Sequence, residues 1–159
     1  MDSYCIRVEV NKMSKDGGKQ IMNGKILIVD ENPGVQHALK RFLSQHGYSV
    51  VITDNIQNAV HLINQSPPSL IILDVKMPRG DGMKLIHILN EHNYLIPIIV
   101  MTAYPTFFTR EEALKNGVGA YVTKPFDPIE ILQYIHQLYA PGKKPMKCIK
   151  YLSKVETPA

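Results

Sequence analysis

Apolar runs alternate along the chain with stretches in which apolar residues recur every three or four positions. Five short runs with little polar alternation predict strands that are buried on both faces: KILIVD, YSVVIT, SLIILD, PIIVMTA and GAYVTK. Each is followed by a stretch with helical spacing: PGVQHALKRFLSQHG, NIQNAVHLINQ, GMKLIHILNEH, REEALKNG and DPIEILQYIHQLY. Strands that alternate with helices in this way predict an α/β fold, with a parallel sheet covered by helices on both faces.

The helical stretches carry apolar stripes and terminal signals. The predicted stripes are Val35, Ala38, Leu39, Phe42 and Leu43 in the first helix, Ile56, Ala59, Val60 and Ile63 in the second, and Met83, Ile86 and Leu89, with Leu85 at the edge, in the third. Gly47 is placed to end the first helix, and Asp81 and Asp127 to cap the third and fifth. Pro128 suits the first position of the fifth helix.

Polar residues capable of chemistry stand at the carboxyl ends of four predicted strands. They are Asp30 and Glu31 after the first strand, Asp74 at the end of the third, Thr102 near the end of the fourth and Lys124 after the fifth. Singly, an aspartate after a strand is usually a helix cap or a turn former. Open parallel sheets bind ligands beyond the carboxyl ends of their strands, so the joint occurrence favours a site.

The chemistry of such a site follows from its charges. Three carboxylates close together raise one another's pKa or require a cation, and Lys124 supplies only one positive charge. A hard divalent ion such as Mg²⁺ would complete the balance. Thr102 adds a neutral donor and Lys124 can hold an anionic oxygen, which suits phosphoryl transfer to Asp74 as the nucleophile.

Composition and charge exclude several classes of function. The 159 residues are 45% hydrophobic and 20% charged, and no apolar run is long enough to cross a bilayer. We therefore expect a cytoplasmic protein without a membrane partner. Five of the 18 basic residues lie in the last 19 positions, which hold one acidic residue. The central region therefore has no electrostatic footprint for nucleic acid.

As a set, the motifs resemble the receiver domain of two-component response regulators, of the single-domain type. The segments that carry the resemblance are KILIVDENP, PPSLIILDVKMPRGDGMKLI, PIIVMTAY and NGVGAYVTKPF. The spacings also match: 44 residues from Asp30 to Asp74, 28 on to Thr102 and 22 on to Lys124. The resemblance implies a flavodoxin-like (βα)5 fold with strand order 2-1-3-4-5. It places the receiver domain at residues 24–140.

The resemblance also implies roles for individual residues. Asp74 would accept a phosphoryl group from a phosphohistidine on a histidine kinase or histidine phosphotransfer protein, and Thr102 and Lys124 would bind the phosphoryl oxygens. Mg²⁺ would be held by Glu31, with Asp30 behind it, by Asp74 and by the backbone carbonyl of Lys76. The Lys124–Pro125 bond is expected to be cis.

A switch is implied as well. Tyr121 matches the family's switch aromatic, which turns inward when Thr102 moves toward the phosphate. The face formed by the fourth helix, the fifth strand and the fifth helix would then change shape, engage a downstream protein target and allow a homodimer. Apart from its own phosphorylation and dephosphorylation, such a protein is not an enzyme.

Three features depart from the family pattern. Glu31 replaces the more frequent Asp, and Pro105 stands where many similar proteins have Gly. Lys76 and Tyr104 occupy positions that tune dephosphorylation, where their side chains could shield an acyl phosphate from water.

Residues outside the predicted domain give weaker signals. YCIRVEV alternates like a strand, KDGGK is typical of a flexible linker, and residues 1–23 form a predicted N-terminal extension. Residues 141–159 form a predicted basic tail.

Two other functions remain open at the level of sequence. One is a receiver-like interaction module that carries no phosphate, with Glu31 and Pro105 as marks of drift. The other is an unrelated Mg²⁺-dependent phosphohydrolase with an aspartyl nucleophile. That reading is the weaker one, because such enzymes usually carry a second acid two residues past the nucleophile, where this chain has Lys76.

Overall fold

Five parallel strands form the central sheet of the computed structural model, which describes residues 15–16, 19–20, 24–78, 80–105 and 110–139. The strands are β1 (Lys25–Val29), β2 (Ser49–Thr53), β3 (Leu70–Asp74), β4 (Ile98–Thr102) and β5 (Ala120–Thr123). Their order across the sheet is β2-β1-β3-β4-β5, and every neighbouring pair is parallel. The flavodoxin-like α/β fold predicted from the sequence is confirmed.

Five helices connect and cover the strands. They are α1 (Pro33–Gln45), α2 (Ile56–Gln65), α3 (Gly82–Glu91), α4 (Arg110–Lys115) and α5 (Pro128–Leu138). The predicted caps form, since the side chains of Asp81 and Asp127 accept hydrogen bonds from the first turns of α3 and α5. Gly47, just past α1, has a φ of 88°, which is the left-handed conformation that ends many helices.

The core lies in two layers, one on each face of the sheet. Alternate residues of a strand point to opposite faces, so Leu27 and Val29 pack with α2, α3 and α4, whereas Ile26 and Ile28 pack with α1 and α5. Most strand residues of the two layers are almost completely buried, and Val51 and Ile52 of β2 are partly buried. This burial fixes the sheet and therefore the positions of its carboxyl ends.

The predicted stripe of α1 is wrong at one position. Ala38 is exposed, and the buried residues of this helix are Gln36, Leu39 and Leu43. The Gln36 amide finds hydrogen-bond partners inside the protein, which makes burial of this polar side chain tolerable.

Two short antiparallel strand pairs lie outside the main sheet. Lys15–Asp16 pairs with Lys19–Gln20 within the predicted N-terminal extension. Lys76–Met77 pairs with Gly80–Asp81 directly after β3.

The structure does not test the predicted N-terminal strand or the predicted basic tail. YCIRVEV and the basic tail lie outside the described residues. Within the part of the chain that is described, no helix combines the length and apolar character needed to cross a membrane.

Candidate functional site

Two aspartates and one lysine meet at the carboxyl edge of the sheet. The Lys124 ammonium nitrogen lies 2.6 Å from Oδ2 of Asp30 and 3.0 Å from Oδ2 of Asp74. Asp30 follows β1, Asp74 ends the neighbouring strand β3, and Lys124 follows β5 at the sheet edge. The structure thus brings together three of the residues that the sequence placed at separate strand ends.

The carboxylate of Asp74 is held at both oxygens. The residue is 8% exposed; its Oδ1 accepts a hydrogen bond from the Lys76 N–H at 3.0 Å, and its Oδ2 accepts one from Lys124. Burial raises the pKa of the Asp74 carboxyl, the hydrogen bond and charge of Lys124 oppose that rise, and the charge of Asp30 adds to it. The ammonium therefore favours an ionised Asp74 at a position where burial alone would disfavour the charge.

Asp30 is more deeply buried than Asp74, at 1% exposure. Its Oδ1 accepts a hydrogen bond from the Asn32 N–H at 2.8 Å, and its Oδ2 faces Lys124. Its own N–H donates to the Thr53 carbonyl on β2 at 3.1 Å. Both the backbone and the side chain of Asp30 are thus fixed.

Lys124 carries the positive charge between the two carboxylates. Burial alone would lower the pKa of the Lys124 ammonium, but hydrogen bonds and charges from Asp30 and Asp74 raise it above its usual value. The side chain therefore stays protonated at neutral pH. The Lys124 N–H donates to the Thr102 carbonyl at 2.8 Å, and the Lys124–Pro125 bond is cis, as the resemblance implied.

Thr102 lies beside the acidic pair on the adjacent strand. It is fully buried, and the register of β3 and β4 pairs Asp74 with Met101, the residue before Thr102. Its Oγ1 accepts a hydrogen bond from the Tyr104 N–H at 2.9 Å, which ties the hydroxyl to the loop after β4.

Tyr121 lies further along the sheet, on β5. The residue is 8% exposed and packs in the core layer that includes α4, and burial raises the pKa of its phenol. The structure thus shows the switch candidate with its ring buried.

Lys76 and Tyr104 meet at the mouth of the site. The Lys76 ammonium lies 4.5 Å from the centroid of the Tyr104 ring, which is a cation–π contact between the loops that follow β3 and β4. Tyr104 is 53% exposed. The two positions singled out in the sequence therefore contact each other across the opening.

The oxygen donors at this edge fit a hard divalent cation. The Asp30 and Asp74 carboxylates share a single ammonium, and the charge of Asp30 raises the pKa of Asp74, so the pair retains an excess of negative charge. Glu31 is half-buried and follows Asp30 directly. Across the described ranges, no three His, Cys, Asp or Glu side chains form a ready-made metal cluster.

Three residues at the site were missed by sequence reasoning. The Asn32 side chain caps α1 by accepting from the Gly34 and Val35 N–H groups, and Asn followed by Pro is a helix-start signal that could have revealed it. Gly82 begins α3 directly against the Asp74 backbone, since a Cβ at Gly82 would lie 2.5 Å from the Asp74 carbonyl oxygen. Gln36 gave no signal, because a lone glutamine in a helix is usually exposed.

Comparison with known proteins identifies the family. The model of the response regulator receiver domain matches residues 26–136, which is more than half of the chain. The chain belongs to the response regulator receiver family. Receiver domains are signalling modules, so the family assignment does not favour a phosphohydrolase.

Similar proteins differ in how much of their length the receiver occupies. An uncharacterized 14.6 kDa protein of Leptolyngbya boryana is 35% identical over 114 residues, which cover 70% of this chain and 87% of that protein. The alkaline phosphatase synthesis transcriptional regulatory protein PhoP of Bacillus subtilis is 34% identical over 110 residues, which cover 69% of this chain and 46% of PhoP. The chain thus spans less than half of this longer regulator.

Solved structures agree on the fold. The receiver domain of the Francisella response regulator 1452 matches with a TM-score of 0.70 and 30% identity, over 76% of this chain and 100% of that one. A response regulator from Burkholderia pseudomallei matches with a TM-score of 0.64 and 24% identity, over 85% of this chain and 75% of that one. The Burkholderia structure is described as containing a phosphorylated aspartic acid, a calcium ion and citrate.

Proposed function

We propose that this receiver is a phosphoacceptor in which Asp74 takes a phosphoryl group from a phosphohistidine on a histidine kinase or histidine phosphotransfer protein. The observation that carries the proposal is the contact of the Asp74 carboxylate with Lys124 at 3.0 Å and with the Lys76 N–H at 3.0 Å. Hydrogen bonds orient both carboxylate oxygens of Asp74, and the residue remains 8% exposed at the edge of the sheet. Such a carboxylate is suited to act as a nucleophile.

The transfer balances without a further reactant. An Asp74 carboxylate oxygen forms a bond to phosphorus while the phosphorus–nitrogen bond of the donor histidine breaks. The electron pair of that bond returns to the imidazole nitrogen, which then binds a proton. Lys124 would stabilise the negative charge on the phosphoryl oxygens, because its ammonium already lies next to the nucleophile.

Mg²⁺ belongs to the same proposal. Asp30, Glu31, Asp74 and the backbone carbonyl of Lys76 would hold it, with waters completing the shell. When bound, the cation would neutralise charge on the carboxylates and on the transferred group. Support comes from the excess of negative charge on the aspartate pair.

The proposed switch runs from Thr102 to the surface formed by α4, β5 and α5. A phosphoryl group adds about −1.5 to −2 charges and three acceptor oxygens, one of which the Thr102 hydroxyl would satisfy. That hydroxyl now accepts from the Tyr104 N–H, so its movement would pull on the loop after β4 and change the packing of Tyr121 under α4. A downstream protein target, a homodimer through this face and a cytoplasmic location are parts of the proposal.

Beryllofluoride, which mimics a phosphoryl group on a carboxylate, tests the acceptor role. With Mg²⁺ present, ¹⁹F NMR should show saturable binding to the wild-type protein and none to Asp74→Asn. Asp54→Asn is the matched control, since Asp54 is an exposed aspartate that follows β2 at the same edge of the sheet. Binding that is absent from folded wild-type protein would contradict the proposal and favour a receiver-like interaction module that carries no phosphate.

A further inference from the structure

A glutamine amide is buried where α1 meets the sheet. Gln36 is 7% exposed, although its helix presents apolar side chains to the core at Leu39 and Leu43. A buried amide costs free energy unless it forms hydrogen bonds. The partners of Gln36 therefore indicate what the residue does.

Both partners of the Gln36 side chain are backbone carbonyls at the ends of strands. The amide nitrogen, Nε2, donates to the Asp30 carbonyl and, at 3.2 Å, to the Thr53 carbonyl. The β1–β2 ladder ends at the pair Val29 and Thr53, so these bonds extend the tie between the strands past the last ladder residues. An amide NH₂ group has two hydrogens, which is the number that this arrangement needs.

Hydrogen bonds hold Asp30 at its backbone and at its side chain. Its N–H is bound by Thr53, its carbonyl by Gln36, and its carboxylate by the Asn32 N–H and the Lys124 ammonium. Of these contacts, the one from Gln36 fixes the peptide that joins Asp30 to Glu31. A rotation of that peptide would change the direction of both acidic side chains.

We propose that Gln36 is a positioning residue that orients Asp30 and Glu31 for the divalent cation and the phosphoryl group. The inference rests on the proposed function, because it concerns how that site is kept in shape. Outer hydrogen-bond partners of metal ligands characteristically affect affinity by about 10- to 100-fold when they are removed.

The test compares the wild-type protein with Gln36→Met, which keeps the length of the side chain and removes the donor. Gln36→Glu is the second variant, since it stays polar but places an acceptor where the amide donates. Gln45→Met and Gln45→Glu are matched controls, because Gln45 is an exposed glutamine at the end of the same helix. The measured quantities are the Mg²⁺ concentration at half-saturation of beryllofluoride binding and amide hydrogen exchange in metal-free protein.

We expect both Gln36 variants to need about 10- to 100-fold more Mg²⁺. In metal-free protein, exchange at the Asp30 and Asn32 amides should be about tenfold faster, because a hydrogen bond that orders the turn is lost. The core amides of Ile72 and Val100 should keep their rates. Faster exchange throughout the core would instead assign Gln36 a purely structural role and would overturn the inference.

The remaining outcomes separate this inference from the proposed function. Wild-type binding together with unchanged Mg²⁺ dependence in the Gln36 variants would overturn the positioning role and leave the acceptor role of Asp74 intact. Absence of binding to the wild-type protein would overturn both.

Discussion

At the scale of single residues, Lys124 favours the ionised form of Asp74. Its ammonium lies within 3.0 Å of both aspartates, and its hydrogen bond and charge hold down a pKa of Asp74 that burial raises. Without this ammonium, two buried carboxylates would face each other with no positive charge between them. The lysine therefore compensates the negative charge of this aspartate pair.

Replacing Lys124 by Met should raise the pKa of Asp74. The sign follows from the charges, since loss of a neighbouring cation favours the neutral acid while the charge of Asp30 remains. Carboxyl ¹³C titration of metal-free protein measures the change, and Lys84→Met, at an exposed lysine on α3, is the control. An Asp74 pKa that stays the same or falls in Lys124→Met would contradict the electrostatic account.

The contact between Lys76 and Tyr104 should lengthen the lifetime of a phosphoryl group on Asp74. The ammonium lies 4.5 Å from the ring centroid, and an exposed cation–π contact contributes about 0.5–1 kcal/mol. The double variant Lys76→Ala, Tyr104→Ala should therefore lose the phosphoryl group about two to five times faster, because water reaches the site more readily. Decay after removal of the phosphodonor is the measurement. A rate equal to that of the wild type would refute the shielding hypothesis.

Single residues also show how far sequence reasoning reaches. Asp30, Asp74 and Lys124 were found because the carboxyl ends of parallel strands share one edge. Gln36 was not found, because its burial depends on two backbone carbonyls from different strands, and no periodicity reports such contacts. Ala38 was included in the predicted stripe because it lies at helical spacing, but it is exposed.

At the scale of elements, the start of α3 is built against the end of β3. The Gly82 N–H donates to the Val75 carbonyl at 2.9 Å, and a Cβ at Gly82 would lie 2.6 Å from the Val75 Cα. The helix can approach the backbone of Asp74 and Val75 this closely only because its first residue lacks a side chain.

Gly82→Ala should destabilise the protein by about 1–3 kcal/mol, because the added methyl group overpacks against backbone that has no room to move. Urea unfolding measures the change. Gly34→Ala is the comparison, since the nearest atom to its Cβ would be a side-chain oxygen 3.1 Å away, and it should cost less. Equal free energies of unfolding for Gly82→Ala and the wild type would contradict this prediction, because they would mean that the backbone after β3 moves to make room for the methyl group.

The elements themselves were largely predictable, but their arrangement was not. Apolar runs and helical stripes gave all five strands and five helices, since these patterns are local. The strand order came from the resemblance to receivers, because order depends on contacts between distant segments.

At the scale of the whole molecule, the proposed function depends on phosphorylation of Asp74. The carboxyl ends of four strands bring the two aspartates, the lysine and the threonine to one edge of the sheet, and helices pack on both of its faces. Since the chain covers less than half of a longer regulator such as PhoP, its partners must be established for this receiver itself.

The most direct measurement is the site of phosphorylation. The protein is incubated with Mg²⁺ and a small phosphoramidate donor, and any acyl phosphate is trapped by borohydride reduction and located by peptide mass spectrometry. The account predicts one modified residue, Asp74, with no modification when Mg²⁺ is withheld or when Asp74 is replaced by Asn. Modification at Asp30, Glu31 or another residue, or none in folded wild-type protein, would contradict it.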